Sequence, residues 1–370
     1  MVSFVTGQTL LVFPVDVDSV TPIVRTAAML GVRVVAASSV TPLRPADGCD
    51  ECIYLPYISD DGFDEALRRA MRAHNVTQLV TMHVGVWAHF ARLAETDGEV
   101  RAAFRGTHPV QQQWQVFAPS LSWARRQQAD DIATGLTVPG GHVAPPLSVA
   151  EYASLHRGFH RTYGQCDVAK LEALCAILRV TPPGEVVELG VFLGRSAYAL
   201  ARLAHAHGVG STICVDSWGR ASITDQGAAA GVLNVAQSAY NQEHVFEEFL
   251  ALASEVPSMS YIRQEAFDAV LAYRDAARHG VLTVPELREV AVSGAIALLH
   301  VDANHRYDQV RRDVEAWEPL VRPGGWIVFD DYDWTFGDGP KRVGDELLAT
   351  GRFERAFVWS DSLFMRKRGS

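Results

Sequence analysis

Cysteine is scarce in this sequence. Five cysteines among 370 residues are too few and too scattered to form a disulfide framework. The closest pair, Cys49 and Cys52 in "DGCDECIYLP", has no second ligand pair for zinc. It also lacks a following helix whose N-terminus would activate a thiol, because the text runs into a strand-like "CIYLP". Both are expected to be small residues at a strand edge. Dense Lys/Arg runs are missing as well, and 33 basic against 43 acidic side chains leave a formal charge of -10, which argues against a nucleic-acid partner. No stretch approaches the ~18 uninterrupted apolar residues of a membrane span. The first residues, "MVSFVTGQTLLVFPVDVDSV", have no basic start and are interrupted by Asp16 and Asp18, so they read as a first β-strand and not a signal peptide. The chain is expected to be cytoplasmic, with neither membrane nor nucleic acid as partner.

What remains is an ordinary globular balance, 48% hydrophobic and 21% charged, in a chain long enough for two cores. Over residues 1–110, apolar strands ("QTLLVFPV", "VRVVAASS", "ECIYLP", "VTQLVTMHV") alternate with helical text ("SVTPIVRTAAMLG", with Ser19 as N-cap, and "DGFDEALRRAMRAHN"). That is the pattern of a small parallel α/β layer. Its order is similar to the N-terminal domain that precedes the ATP-grasp domain of carboxylate–amine ligases, but the glycine-rich phosphate loop of those proteins is missing. Residues 111–150, rich in Gln, Pro and Gly, read as a linker. From 151 to 370 strands and helices alternate again, beginning with an amphipathic helix in "CDVAKLEALCAILRV". They end in an antiparallel hairpin, "FERAFVWSDSLFMRKR". The expected fold is α/β, a Rossmann-like doubly wound sheet with a smaller N-terminal α/β domain.

Ligands of such sheets bind at the carboxyl ends of the strands, near the first βα turn. Here that turn is "VVELGVFLGRSA": a strand ending at Glu188, then Gly190 for a tight turn, Gly194 for close helix packing and Ser196 in the helix. A dinucleotide fingerprint would want glycines at 192 and 195, where Phe192 and Arg195 stand, and bulk there obstructs a pyrophosphate. A cofactor without phosphates, such as S-adenosylmethionine, makes no such demand. The next strand, "ICVDSWGR", ends in Asp216, placed to accept ribose hydroxyls, with Trp218 to pack on the adenine or close the pocket. Gln264 and Glu265 follow the third strand.

Two further strands end in acids: "LLHVDANH" in Asp302, with His305 three residues on, and "GGWIVFDDYDW" in Asp330 and Asp331. Three neighbouring carboxylates repel unless a cation lies among them. Oxygen ligands alone suit Mg²⁺, which would lower the pKa of a substrate hydroxyl whose proton His305 then takes.

Together "ELGVFLGRSA", "VDSW", "HVDANHRYDQVRRDVEAW" and "GGWIVFDDYDW" resemble class I S-adenosylmethionine-dependent methyltransferases. Within that class they look most like the metal-dependent O-methyltransferases of macrolide-sugar and cephamycin-type antibiotic biosynthesis. The resemblance covers about 155–370. It implies Mg²⁺ on Asp302, Asp330 and Asp331, His305 as base, and Tyr163 and Gln165 over the methionine moiety. The implied cofactor contacts are Glu188, Gly190, Gly194, Ser196, Asp216, Trp218, Glu265 and Asp302. One departure stands out: the family commonly has Gly-Asp-His where this chain has Ala303, Asn304 and His305, which removes an acid near the site. The acceptor is expected to be a small-molecule hydroxyl, such as that of a glycoside, and the chain a homo-oligomer. An NAD-dependent oxidoreductase and a non-catalytic scaffold are the rival readings.

Overall fold

The structure is a computed structural model that describes residues 7–43, 47–130, 135–136, 143–219, 225–237 and 239–369. The first six residues of the expected opening strand lie outside that set. The chain divides into two compact units, Met1–Pro119 and Ser120–Ser370.

The first unit is a four-stranded parallel sheet in the order β3-β2-β1-β4, from β1 (Thr9–Val12), β2 (Arg33–Ser38), β3 (Glu51–Tyr54) and β4 (Gln78–Val80). Alternation splits β1 between two cores. Leu10 and Val12 pack with Val20, Val24 and Ala27, while Leu11 and Phe13 pack with Phe63, Leu67 and Phe90. Both faces of a parallel sheet are thereby covered. The helix expected from Ser19 begins at Thr21, with no side-chain bond at its cap and a proline in its first turn, where a proline N–H is not needed. Cys49 and Cys52 are free thiols. Burial, then Cys52 and Asp50, push the Cys49 thiol up to about 11, which is the opposite of an activated cysteine.

The stretch expected as a linker contains a 21-residue helix, Pro109–Ala129, with Pro119 inside it. Gln, Ala, Leu and Arg are good helix formers that need no apolar stripe, so weak periodicity concealed it. Residues 131–134 and 137–142 of that stretch lie outside the described residues.

The second unit carries a seven-stranded sheet in the order β12-β13-β11-β10-β5-β6-β7. Its strands are β5 (Glu185–Leu189), β6 (Thr212–Asp216), β7 (Met259–Arg263), β10 (Ile296–Val301), β11 (Val321–Phe329), β12 (Phe353–Trp359) and β13 (Ser362–Lys367), with a separate short ribbon of β8 (Val281–Leu282) and β9 (Val290–Ala291). The ladders from β11 to β7 are parallel; β13 pairs antiparallel with β11 and β12. Strand order reverses between β5 and β10, and a ligand crevice opens at such a switch point.

Helix Val168–Leu178 is not amphipathic. Nearly its whole circumference is buried, including Lys170 at 1% exposure. Two helices precede β7, Gly231–Gln237 and Gln242–Ser254; Asn241 accepts the Glu243 N–H at 3.0 Å and caps the second. Ser238 lies outside the described residues. Among the described residues no helix is long and apolar enough to cross a membrane.

Candidate active site

Strand ends build the crevice. Gly190 follows β5 at φ +84°, and a Cβ there would stand 2.1 Å from the Asp302 carbonyl oxygen, so only glycine lets the β10 end approach. Gly194, at φ +87°, opens helix Arg195–Ala206, and a Cβ there would press on Leu252 at 2.9 Å and Phe249 at 3.1 Å.

Asp216 closes this turn from β6. Its Oδ2 accepts the N–H groups of Val191 (2.8 Å) and Phe192 (3.1 Å), and its Oδ1 accepts that of Trp218 (2.8 Å). The expected ribose acceptor is thus first a clamp on the glycine turn. Trp218 is 3% exposed, donates its Nε1–H to the Phe192 carbonyl at 2.9 Å and packs on Phe249 and Phe246. It is a buried peg, not an open plate for adenine.

Two cavities share Gly190, Asp216 and Ala303 as lining. The smaller, about 370 Å³, also takes in Glu265, Arg312 and Asp313. The larger, about 720 Å³, takes in Tyr163, Gln165, Ser196, Asp302, His305 and Asp331. Phe192, Trp218 and Asp331, all lining the larger cavity, are non-glycine residues at φ +53°, +42° and +51°. Backbone strain of that kind collects where a site over-determines its geometry.

Glu188 lines neither cavity. Strand alternation turns it to the face opposite Val187 and Leu189. There it is the register partner of His300, whose Nδ1 stands 2.8 Å from Glu188 Oε1. Both are 0% exposed.

The acids expected at the β10 and β11 ends do converge. Their ligand atoms fall into three overlapping groups with all members within 4.8 Å: His300–Asp302–Asp330, Asp302–His305–Asp331 and Asp330–Asp331–Asp361. His305 Nε2 stands 2.8 Å from Asp331 Oδ2 and 3.8 Å from Asp302 Oδ1. Its Nδ1 is 2.6 Å from Gln226 Oε1, which also accepts the His305 N–H at 3.0 Å. An amide oxygen only accepts, so Nδ1 donates its hydrogen to Gln226, while Nε2 faces the carboxylates of Asp331 and Asp302. The ring stacks on Trp334 at 4.4 Å.

Lys170 was not anticipated. Its ammonium donates to Asp330 Oδ1 and stands 3.2 Å from Asp361 Oδ1. Burial would raise the Asp330 carboxyl, yet Lys170 and His300 outweigh it and hold that group below the usual range. Asp302 goes the other way: burial, then Asp330 and Asp331, push it well above its ordinary value against the opposition of Lys170. The carboxylates of Asp302, Asp330, Asp331 and Asp361 outnumber the ammonium of Lys170, and this oxygen donor set fits a further hard cation. Two signals were present in the sequence: a lysine in a mostly apolar helix, and a lone histidine in "IALLHV". Gln226, Trp334 and Asp361 gave none, because only tertiary approach brings them here.

The sheet order, with its carboxyl-edge crevice and C-terminal antiparallel hairpin, is that of a class I S-adenosylmethionine-dependent methyltransferase. Residues 187–332 match the family model described as a methyltransferase domain, and the second unit is accordingly an enzyme fold for methyl transfer. No curated protein matches the sequence. Among solved structures, the chain is similar to the O-methyltransferase NovP, at 18% identity over 68% of this chain and 100% of that one, with a TM-score of 0.41. The calicheamicin methyltransferase CalS11 follows at 16% identity, 67% and 91% coverage and a TM-score of 0.39. MycE of the mycinamycin pathway, solved with Mg and SAH, shows 18% identity, 50% and 46% coverage and a TM-score of 0.30.

Proposed function

We propose that the chain transfers the methyl group of S-adenosylmethionine to a hydroxyl oxygen of a small molecule, a sugar of a natural product such as an antibiotic being the favoured acceptor. One observation carries this reading: the glycine turn and the His305–Asp331 pair line the same cavity of about 720 Å³, so a donor on the turn and an acceptor at the imidazole meet in one space. The smaller cavity, with Glu265 on its wall, suits the adenosine, and the Oδ1 lone pair that Asp216 has left suits a ribose hydroxyl. Tyr163, 69% exposed, borders the methionine end.

Chemistry falls to His305. Its Nε2 takes the hydroxyl proton as the oxygen displaces S-adenosylhomocysteine from the methyl carbon in line, the carbon–sulfur bond breaking as the carbon–oxygen bond forms, and Asp331 at 2.8 Å stabilises the imidazolium formed. Mg²⁺ where Asp302, Asp330 and Asp331 converge at the β10 and β11 ends would make the hydroxyl more acidic. The enzyme is read as cytoplasmic and homo-oligomeric, with the first unit serving assembly; sedimentation of the intact chain tests the latter. Nothing on the crevice wall favours a dinucleotide, since Phe192 and Arg195 fill the glycine positions it needs.

The test is direct. S-adenosylhomocysteine, and not NAD, should raise the melting temperature. Labelled methyl should pass to glycosides, stop with EDTA and resume with Mg²⁺. Stabilisation by NAD alone would refute the assignment, and turnover after exhaustive chelation would refute the metal.

A further inference from the structure

The acids at the β10 and β11 ends are not equivalent, and Lys170 makes the difference. It sits 1% exposed on a helix whose other charged residue is Glu172, donating to Asp330 Oδ1. That same oxygen accepts the Asp331 N–H at 2.9 Å and the Ser362 hydroxyl at 3.1 Å. Three donors already exceed the two lone pairs of a carboxylate oxygen, so Oδ1 offers nothing to a metal. The other oxygen, Oδ2, has His300 Nε2 at 3.8 Å. All three acids line the larger cavity, but among the described residues only Asp330 is bonded to a lysine, while Asp302 and Asp331 stand beside His305 Nε2.

We propose that Lys170 is a positioning residue acting as the fixed cation of the acid cluster. It keeps Asp330 out of the metal shell and leaves a divalent ion to Asp302 and Asp331. This rests on the metal-dependent reading of the site. An ammonium and a divalent ion on one carboxylate repel across a poorly screened interior. A buried pair is retained only where hydrogen bonds satisfy its remaining groups, as Asp331 N–H, Ser362 and Asp361 do here. Fewer carboxylate ligands mean weaker binding, so Lys170 sets the site to hold its metal loosely.

Mn²⁺, titrated by electron paramagnetic resonance against the full chain, reads this without turnover. Removing the pair together, in Lys170→Met/Asp330→Asn, should leave Mn²⁺ affinity within about threefold of the native protein, whereas Asp302→Asn should weaken it at least about tenfold. Lys170→Met alone, checked for folding by circular dichroism, should bind at least about tenfold tighter because Asp330 is released. Should the single variant not fold, the double variant decides, since no unpaired charge is left buried. If the double variant loses as much as Asp302→Asn, Asp330 is a ligand and the proposal falls while the metal reading stands. If the native protein binds no Mn²⁺ but Lys170→Met does, the metal reading of the native enzyme falls and the role of Lys170 stands. No binding in any form overturns both.

Discussion

The two cavities of the second unit share a wall at Gly190, Asp216 and Ala303, yet a strand-end aspartate behaves differently on each side of it. On the β6 side, Asp216 faces three backbone N–H groups and acts as a clamp. On the β10 and β11 side, Asp302, Asp330 and Asp331 face one another, with Lys170 as the counter-charge. The same sequence sign, an apolar strand ended by an acid, therefore marks architecture in one place and concentrated charge in the other. What separates them is how many donors each carboxylate finds before any ligand arrives.

Substitutions can break or sharpen that contrast. The largest effect should come from the charged side. His305→Ala should lower methyl transfer by ~10²–10⁴ while calorimetry shows unchanged S-adenosylhomocysteine binding; near-normal turnover would remove the base.

Next comes Asp313, on the smaller cavity. Burial, then Glu265 and Asp268, push its carboxyl from 3.8 up to about 7 against the opposition of Arg312. The folded state thus keeps a proton that the unfolded chain has lost. Stability should be highest below pH 4 as far as this group is concerned, and should fall as pH climbs through 7, by on the order of 4 kcal/mol. Asp313→Asn should flatten that part of the urea-midpoint profile. An unchanged slope would show that Asp313 ionises freely.

Asp216→Ala should be intermediate. It leaves three N–H groups without their charged acceptor and should cost about 2–3 kcal/mol of stability, together with weaker cofactor binding. A loss of cofactor affinity without loss of stability would mean that Asp216 serves the ribose alone. Trp218→Phe should be mildest: it keeps the packing on Phe249 and removes one hydrogen bond, about 1 kcal/mol in thermal unfolding, with turnover retained.

Much of this was legible in the sequence for a physical reason. Strand alternation and the glycine turn are local signals, so β5, β6, β10 and β11 and their terminal acids could be read from a few residues each. Helix Ala266–His279 and helix Val149–Arg161, whose Ser148–Glu151 capping box was readable, were passed over, although their periodicity is equally local. The non-local contacts were harder. Asp216 looks the same on paper whether it meets ribose or backbone, and nothing in "DVAKLEAL" says that its lysine ends against an acid 160 residues away. Glu188 was assigned to the cofactor because it ends its strand, but one step of alternation turns it toward His300 instead.

The turn between β12 and β13 carries a last consequence. Asp361 reaches Lys170, Ser362 reaches Asp330, and the Ser360 hydroxyl donates to Asp167 Oδ2 at 2.6 Å. The wall around Asp330 is therefore encoded at two places 193 residues apart. A ribosome delivers the lysine long before the turn. At ~5–20 residues per second, the nascent chain carries this ammonium for roughly ten seconds or more without Asp330 or the turn. Until both emerge, helix Val168–Leu178 has to keep Lys170 in water or against a chaperone, so the acid cluster is among the last parts of the enzyme to be born.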